Sequence, residues 1–348
     1  PGKAAMEGFA DVPQTKILVF YPRDGVSEIQ KLQMVTQEGA NVGVCAVEGN
    51  FDDAQNGVKR IFSDEAMRKE LADRGYFLSS ANSINWGRIL PQVVYYVSAY
   101  CDLLNQGEIR LGDKVNYCVP TGNFGNILAC HYAGKMGIPV GKLICASNCN
   151  DVLTDFIRTG IYDRNRPFHT TMSPSMDILI SSNLERLLFE LSGGDDALVR
   201  EYMEQLKTTG RYEITAEMKE KLQILFYGGF ASEADTTATI TALYADGYLI
   251  DTHTAVAAKV LEDYRRETGD DTIAVFASTA SPYKFCDSVL TAIGETPVSD
   301  SVDRIAQLEK VSGVSAPRRL AALKGKTPRF DGVTKKEEME KVVLDFLK

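Results

Sequence analysis

The chain has 348 residues, 38 Lys and Arg against 47 Asp and Glu for a net charge of −9, and 44% hydrophobic residues. That composition describes a globular protein long enough for two lobes, and its acidity sets aside nucleic acid and anionic membranes as partners, since both call for a basic face. No apolar run approaches the roughly 20 residues that span a bilayer, no secretory leader is read at the amino end, and seven irregularly spaced cysteines suit reduced core thiols in a cytoplasmic protein.

In chain order, Gly2 to Phe9 reads as the body of a helix with no start signal, because Pro1-Gly2-Lys3 supplies neither a capping box nor a preceding strand. Strand 16–21, helix 26–35 opened near Ser27, strand 40–47 and helix 52–62 then alternate. This is the βαβ pattern of a parallel sheet with helices on its faces. From Trp86 the apolar residues fall at 86, 89, 90, 93, 94, 97, 100, 101 and 104, a helical stripe. Strand 115–119, helix 126–136, strand 142–147 and helix 151–158 continue the alternation until the Pro-containing stretch 167–174. Helices are expected over 183–191, 195–207, 215–222, 233–245 and 252–266, with Ser232 as an N-cap, and a buried strand over 272–277. Near the end, Thr334 and Glu337 spell a capping box before Met339, Val342, Val343, Phe346 and Leu347. The division expected is a small βαβ lobe over 1–80, incomplete at its amino end, and a large α/β lobe over 81–348.

Between strand 115–119 and the amphipathic helix expected to start near Asn126 lies Thr121-Gly122-Asn123-Phe124-Gly125-Asn126. Two glycines permit a tight turn and close backbone approach, and the helix start offers unpaired N–H groups at the positive end of its dipole. The run has neither the three glycines of a dinucleotide loop nor the Gly-Lys-Ser/Thr of a P-loop, so a compact phosphate on a small cofactor is the ligand expected. The same residues would also serve as an ordinary strand exit and helix cap. Cys145 and Cys149 stand four apart without a second Cys or His pair, and His131, His169 and His253 are scattered, so no metal site is expected.

Several stretches resemble the threonine synthase family: Phe20 to Ser27, Gly49 to Ala54, Ser83 to Arg88, Thr121 to Asn126, Ser173 to Ile178 with Ser182 to Arg186, and Ser278 to Phe285. They run in family order along nearly the whole chain. The resemblance implies a pyridoxal-phosphate enzyme of the tryptophan synthase β-like fold (PLP fold type II), an α/β architecture of open, mostly parallel sheets with helices on both faces in two lobes. It also implies a segment upstream of Pro1 that carries the Schiff-base lysine. No lysine here matches that motif, and Lys284 is expected to be a surface lysine, so the polypeptide alone is expected to be truncated, without its catalytic residue, and inactive.

By the same resemblance, Gly122, Asn123, Phe124, Gly125 and Asn126 hold the phosphate of pyridoxal 5'-phosphate, with Thr121 as a flanking hydroxyl. Thr279 hydrogen-bonds the pyridine nitrogen, with Ser278 as the alternative donor, and such a neutral partner tempers the electron sink relative to a carboxylate. Ser83, Asn85 and Arg88 receive the substrate phosphate, an arginine fork at a helix start being suited to a dianion. Ser182, Asn183, Glu185 and Arg186 are expected to make a cap and a first-turn ion pair, and Asp52, Asp53, Asp155, Glu185 and Glu233 a solvated charged face. The implied reaction converts O-phospho-L-homoserine and water to L-threonine and phosphate, in a monomer or homodimer. Another lyase or dehydratase of the same fold, or a non-catalytic phosphate-binding remnant, stays open.

Overall fold

Two apolar runs, Ile17–Pro22 (β1) and Val42–Glu48 (β2), pair in parallel from Ile17 opposite Val42 to Pro22 opposite Val47. The computed structural model, which describes residues 2–81 and 85–348, adds β3 (Val115–Pro120), β4 (Val140–Ser147), β5 (Ile161–Asp163), β6 (Arg211–Glu213), β7 (Phe226–Phe230), β8 (Ala274–Phe276) and β9 (Val333–Lys335). The strands form a parallel sheet β1-β2-β9, a parallel sheet β7-β4-β3-β8 and an antiparallel pair β5-β6. Two compact units result. The first joins residues up to Asn85 with Tyr283–Asp287 and Pro297–Lys348, and the second holds Trp86–Pro282 and Ser288–Thr296.

In the first unit the helices Gly2–Phe9 and Glu28–Val35 cover one face of the sheet, through Met6, Met34 and Val35 against Val42 and Val44. Helices Phe51–Ser63, Glu65–Asp73 and Met339–Phe346 cover the other, through Ile61, Leu71 and Met339 with Val47. Ser27 caps its helix in a capping box with Gln30, as the sequence signals. Thr334 does not cap: it lies in β9 opposite Val47, and the helix that carries the apolar stripe starts five residues later at Met339. A three-residue strand has no periodicity of its own, and only its distant partner makes it one. That pairing also carries residues 297–348, expected with the large lobe, into the first unit.

In the second unit the residues of β3 and β4 alternate between two cores. Tyr117, Val119, Leu143 and Cys145 face the helices Trp86–Gln106, Gly125–Lys135 and Val152–Thr159. Cys118, Ile144 and Ala146 face Val256, Ala257 and Val260 of the helix Thr252–Thr268. A sheet buried on both faces explains why its two central strands read as unbroken apolar runs. The Gly125–Lys135 helix is buried around most of its circumference, not along the single face expected. β8 is shorter than expected and is a partly exposed edge strand, because among the described residues nothing pairs beyond it in this sheet.

A buried polar network ties the chain after β4 to the 169–177 stretch. Asp177 Oδ1 accepts from Thr171 Oγ1 at 2.7 Å, Asn148 Nδ2 at 2.8 Å and Asn150 Nδ2 at 3.2 Å, and its Oδ2 accepts from the Thr171 amide at 2.9 Å. Asn150 also donates to the His169 carbonyl at 2.8 Å. Burial raises the Asp177 carboxyl above the ordinary carboxylate range despite these donors, and burial likewise raises Glu233, which accepts from the Met172 amide at 2.9 Å. Satisfied networks of this kind fix one arrangement of otherwise irregular backbone.

Two expectations follow. Met339 is fully buried, and its sulfur sits where a Cβ on Gly57 would stand, so Met339→Ala leaves a space beside a glycine that has no side chain to occupy it. It should lower stability by about 2–5 kcal/mol, seen as a lower urea midpoint. For Asp177, a folded-state pKa above the unfolded one means that the native state binds the proton more tightly. Its contribution is therefore present at low pH and lost as pH rises from about 4 through the raised value. Unfolding midpoints measured across this window should fall less steeply for Asp177→Asn than for the wild type, and parallel curves would contradict the assignment.

Candidate functional site

β3 ends at Pro120, and the loop 121–125 leads directly into the Gly125–Lys135 helix. The sharp turn falls on Phe124, which has φ 63° and ψ −1°, and not on either glycine. Phe124 is held in this left-handed conformation because its ring is buried, 5.6 Å centroid to centroid from Phe226. A bulky residue there costs on the order of 1 kcal/mol, and such strain persists where the surroundings over-determine it, typically at ligand sites. Gly122 is needed for close approach: a Cβ would stand 2.7 Å from the Ser175 carbonyl oxygen and 3.3 Å from Met176 Cα.

The carbonyls of the loop are pinned on one side. Ser181 Oγ donates to the Gly122 carbonyl at 2.8 Å, and the Asn123 carbonyl accepts from the Asn183 amide at 3.2 Å and from Asn183 Nδ2 at 2.9 Å. Across a trans peptide the N–H points opposite to the C=O. The amides of Asn123 and Phe124 therefore turn away from the 181–183 segment, and those of Gly125 and Asn126 open a helix. Among the described residues no acceptor meets these four N–H groups. Four successive donors at a helix start, with no side chain on Gly122 to crowd them, suit an anion such as a phosphate.

The side chains expected in the cradle are otherwise engaged. Thr121 Oγ1 donates to the Val119 carbonyl at 2.7 Å and is buried, so its hydrogen turns into the strand. Asn123 Oδ1 accepts from Ser182 Oγ at 3.2 Å, Asn126 Oδ1 accepts from the Tyr96 hydroxyl, and Phe124 contributes only backbone. Asn183 does not cap its helix with its side chain, which instead reaches Asn123, and Arg186 Nε donates back to Asn183 Oδ1 at 3.3 Å. Ser181 and Asn183 are thus supports of the cradle that spacing could not reveal, since they stand about sixty positions away. Burial pushes the Cys145 thiol up to about 12, so the sulfur on the adjacent strand is inert as a nucleophile.

Ser278 and Thr279 are exposed at the carboxyl end of β8. β8 pairs with β3 from Asn116 opposite Ala274 to Cys118 opposite Phe276, and Ala277 N donates to Cys118 O at 3.0 Å. The two hydroxyls and the 121–125 loop therefore follow neighbouring strands, whose backbones pair about 4.8 Å apart. The carboxyl ends of parallel strands are where α/β sheets collect ligands.

Of the three residues expected to receive a substrate phosphate, Ser83 lies outside the described residues. Asn85, in the first unit, donates to the Ser80 carbonyl at 2.8 Å. Arg88, in the second unit, is half-buried in the first turn of the Trp86–Gln106 helix, and among the described residues no carboxylate stands within 4.0 Å of it. Asp53 joins a capping box with Asn50 and pairs with Lys336 at 3.1 Å, and Asp155 pairs with Arg166 at 2.9 Å. Glu233, half-buried and raised by burial, departs from the solvated face expected of it. No described helix is long and apolar enough to cross a membrane.

A family model described as "Threonine synthase, C-terminal" matches residues 254–343. Human "Threonine synthase-like 1" is 46% identical over 300 residues, covering 84% of this chain and 40% of that protein. Threonine synthase from Pseudomonas aeruginosa is 38% identical over 301 residues, covering 85% of this chain and 61% of that enzyme. The crystal structure of PLP-bound threonine synthase from Brucella melitensis superposes with a TM-score of 0.81 at 38% identity, over 100% of this chain and 68% of the other. The chain thus spans less than two thirds of the length of the curated relatives named here. The parallel sheets helix-covered on both faces are those of the tryptophan synthase β-like fold, PLP fold type II, and on fold and sequence alike the chain belongs to the threonine synthase family.

Proposed function

We propose that the chain forms the coenzyme-binding body of a threonine synthase, which converts O-phospho-L-homoserine and water to L-threonine and phosphate with pyridoxal 5'-phosphate. The observation that carries this reading is that the amides of Asn123 to Asn126 meet no acceptor among the described residues, while Ser278 and Thr279 follow the adjacent strand. The coenzyme, when bound, supplies an electron sink that acidifies carbon-bound hydrogens near the substrate amino group.

The chain's own residues bind and orient. The amides of Asn123, Phe124, Gly125 and Asn126 hold the coenzyme phosphate with main-chain donors and the helix dipole, without a lysine. Thr279 offers a neutral hydroxyl to the pyridine nitrogen, which leaves that nitrogen largely unprotonated and favours elimination and replacement over transamination. Arg88 receives the phosphate of the substrate and separates O-phosphohomoserine from unphosphorylated amino acids by charge-assisted bonds. No lysine of these 348 residues matches the family's coenzyme-bearing motif, so this polypeptide by itself binds coenzyme without turning substrate over.

Equilibrium dialysis should find pyridoxal 5'-phosphate bound to the 348-residue protein, and Gly122→Ala, which drives a Cβ against Ser175, should weaken binding at least tenfold, about 1.4 kcal/mol. Unchanged affinity in that variant would overturn the cradle. Turnover of O-phosphohomoserine by the isolated polypeptide would contradict the assignment of the reactive amine. In a longer form that supplies the amine, Arg88→Gln should raise KM for O-phosphohomoserine and leave coenzyme affinity unchanged.

A further inference from the structure

Ser278 and Thr279 both stand at the end of β8, and one of them faces a structure that decides what it can do. Thr254 Oγ1 lies 3.1 Å from Ser278 Oγ. On its other side the same Thr254 hydroxyl donates to Asp251 Oδ2. Asp251 is 1% exposed. Its Oδ1 accepts from the His253 amide at 2.9 Å and the Thr254 amide at 3.3 Å, capping the Thr252–Thr268 helix, and lies 3.3 Å from His253 Nδ1. An ionised carboxylate has no hydrogen to give, and a hydroxyl has one. The Thr254 hydrogen is committed to Asp251, so the hydrogen between Thr254 and Ser278 must come from Ser278.

We infer that Asp251 is a positioning residue for the coenzyme ring: through Thr254 it draws the Ser278 hydrogen inward, leaving Ser278 a pure acceptor and Thr279 the hydroxyl that donates to the pyridine nitrogen. The inference rests on the coenzyme reading above and decides between the two hydroxyls that the sequence leaves open. The polarity runs Ser278 to Thr254 to Asp251 and is anchored by a buried carboxyl group that also caps a helix, which makes it costly to reverse. Replacing Asp251 by Asn keeps an oxygen to cap the helix but places an NH₂ group against Thr254 Oγ1. The Thr254 hydrogen then turns to Ser278, and the Ser278 hydrogen is released outward.

The test uses pyridoxine 5'-phosphate labelled with 15N in its ring, which has no aldehyde to wander among lysines, bound to the 348-residue protein. Donation to the ring nitrogen shifts its resonance from the position of the free base. Thr279→Ala should abolish that shift and Ser278→Ala should leave it. In the Thr279→Ala background, Asp251→Asn should restore it, and so should Thr254→Val, which frees the Ser278 hydrogen by a different route. Loss of the shift on Ser278→Ala alone, or its persistence in Thr279→Ala, would overturn the inference, as would failure of both restorations. A ligand-free readout separates this from failure of the coenzyme reading: the Thr254 hydroxyl should give a downfield, slowly exchanging proton resonance that Asp251→Asn removes. Its absence from the wild type overturns the hydroxyl polarity, whereas absence of ligand binding overturns the coenzyme site.

Discussion

The anchoring of two loop carbonyls sets what this structure can bind. Tyr162, in the small antiparallel sheet, donates to the Leu179 carbonyl at 3.0 Å and accepts from the Ser181 amide at 2.8 Å, while its ring stacks on Tyr212 at 5.3 Å. The strand thus holds the 179–183 segment, and that segment holds the carbonyls of Gly122 and Asn123. Because a peptide unit is planar, fixing where the oxygens point fixes where the N–H groups point. A row of main-chain donors has no side chain to titrate, so what it offers follows from geometry, which the protein sets from a segment about sixty residues away.

The same logic recurs around the loop. The buried Asp177 network holds the stretch against which Gly122 packs, and a Cβ on that glycine would strike its backbone. Phe124 takes the left-handed turn that glycine would take at lower cost, and its buried ring makes the turn unique. Flexibility at the loop would have served a range of ligands. The arrangement here favours one shape, and it spends conformational strain and buried polar groups to keep it. On the adjacent strand, the Asp251–Thr254–Ser278 chain does for hydroxyl hydrogens what the 181–183 segment does for amides.

Much of this was legible in the residues. β1 to β4 announced themselves as apolar runs, and the helices opened by Ser27 and Ser232 carried their capping boxes in local spacing. The strand–turn–helix of residues 115–135 was visible because a strand, a glycine-rich turn and a helix follow one another without a break. What stayed hidden depends on partners distant in sequence. β7 reads Phe-Tyr-Gly-Gly-Phe, and its glycines argue against a strand until β4 is seen beside it, with Gly228 packed against the Thr154 backbone. Thr334 carried the local signature of a cap and was taken into a sheet by β2. Asn183, likewise, looked like a cap and proved to be a brace for Asn123.

The placement of β9 has a bearing on how the molecule comes into being. β2 finds its second neighbour only in residues 333–335, and the helix that seals one face of that sheet follows at Met339–Phe346. During synthesis, the second unit has nearly all its chain available while the first still waits for its last strand. The first unit, although it begins the chain, can therefore be completed only after the second has been made. Until residues 333–346 leave the ribosome, the nascent β2 keeps an open edge, and that interval is when the chain most needs protection from pairing with a stranger.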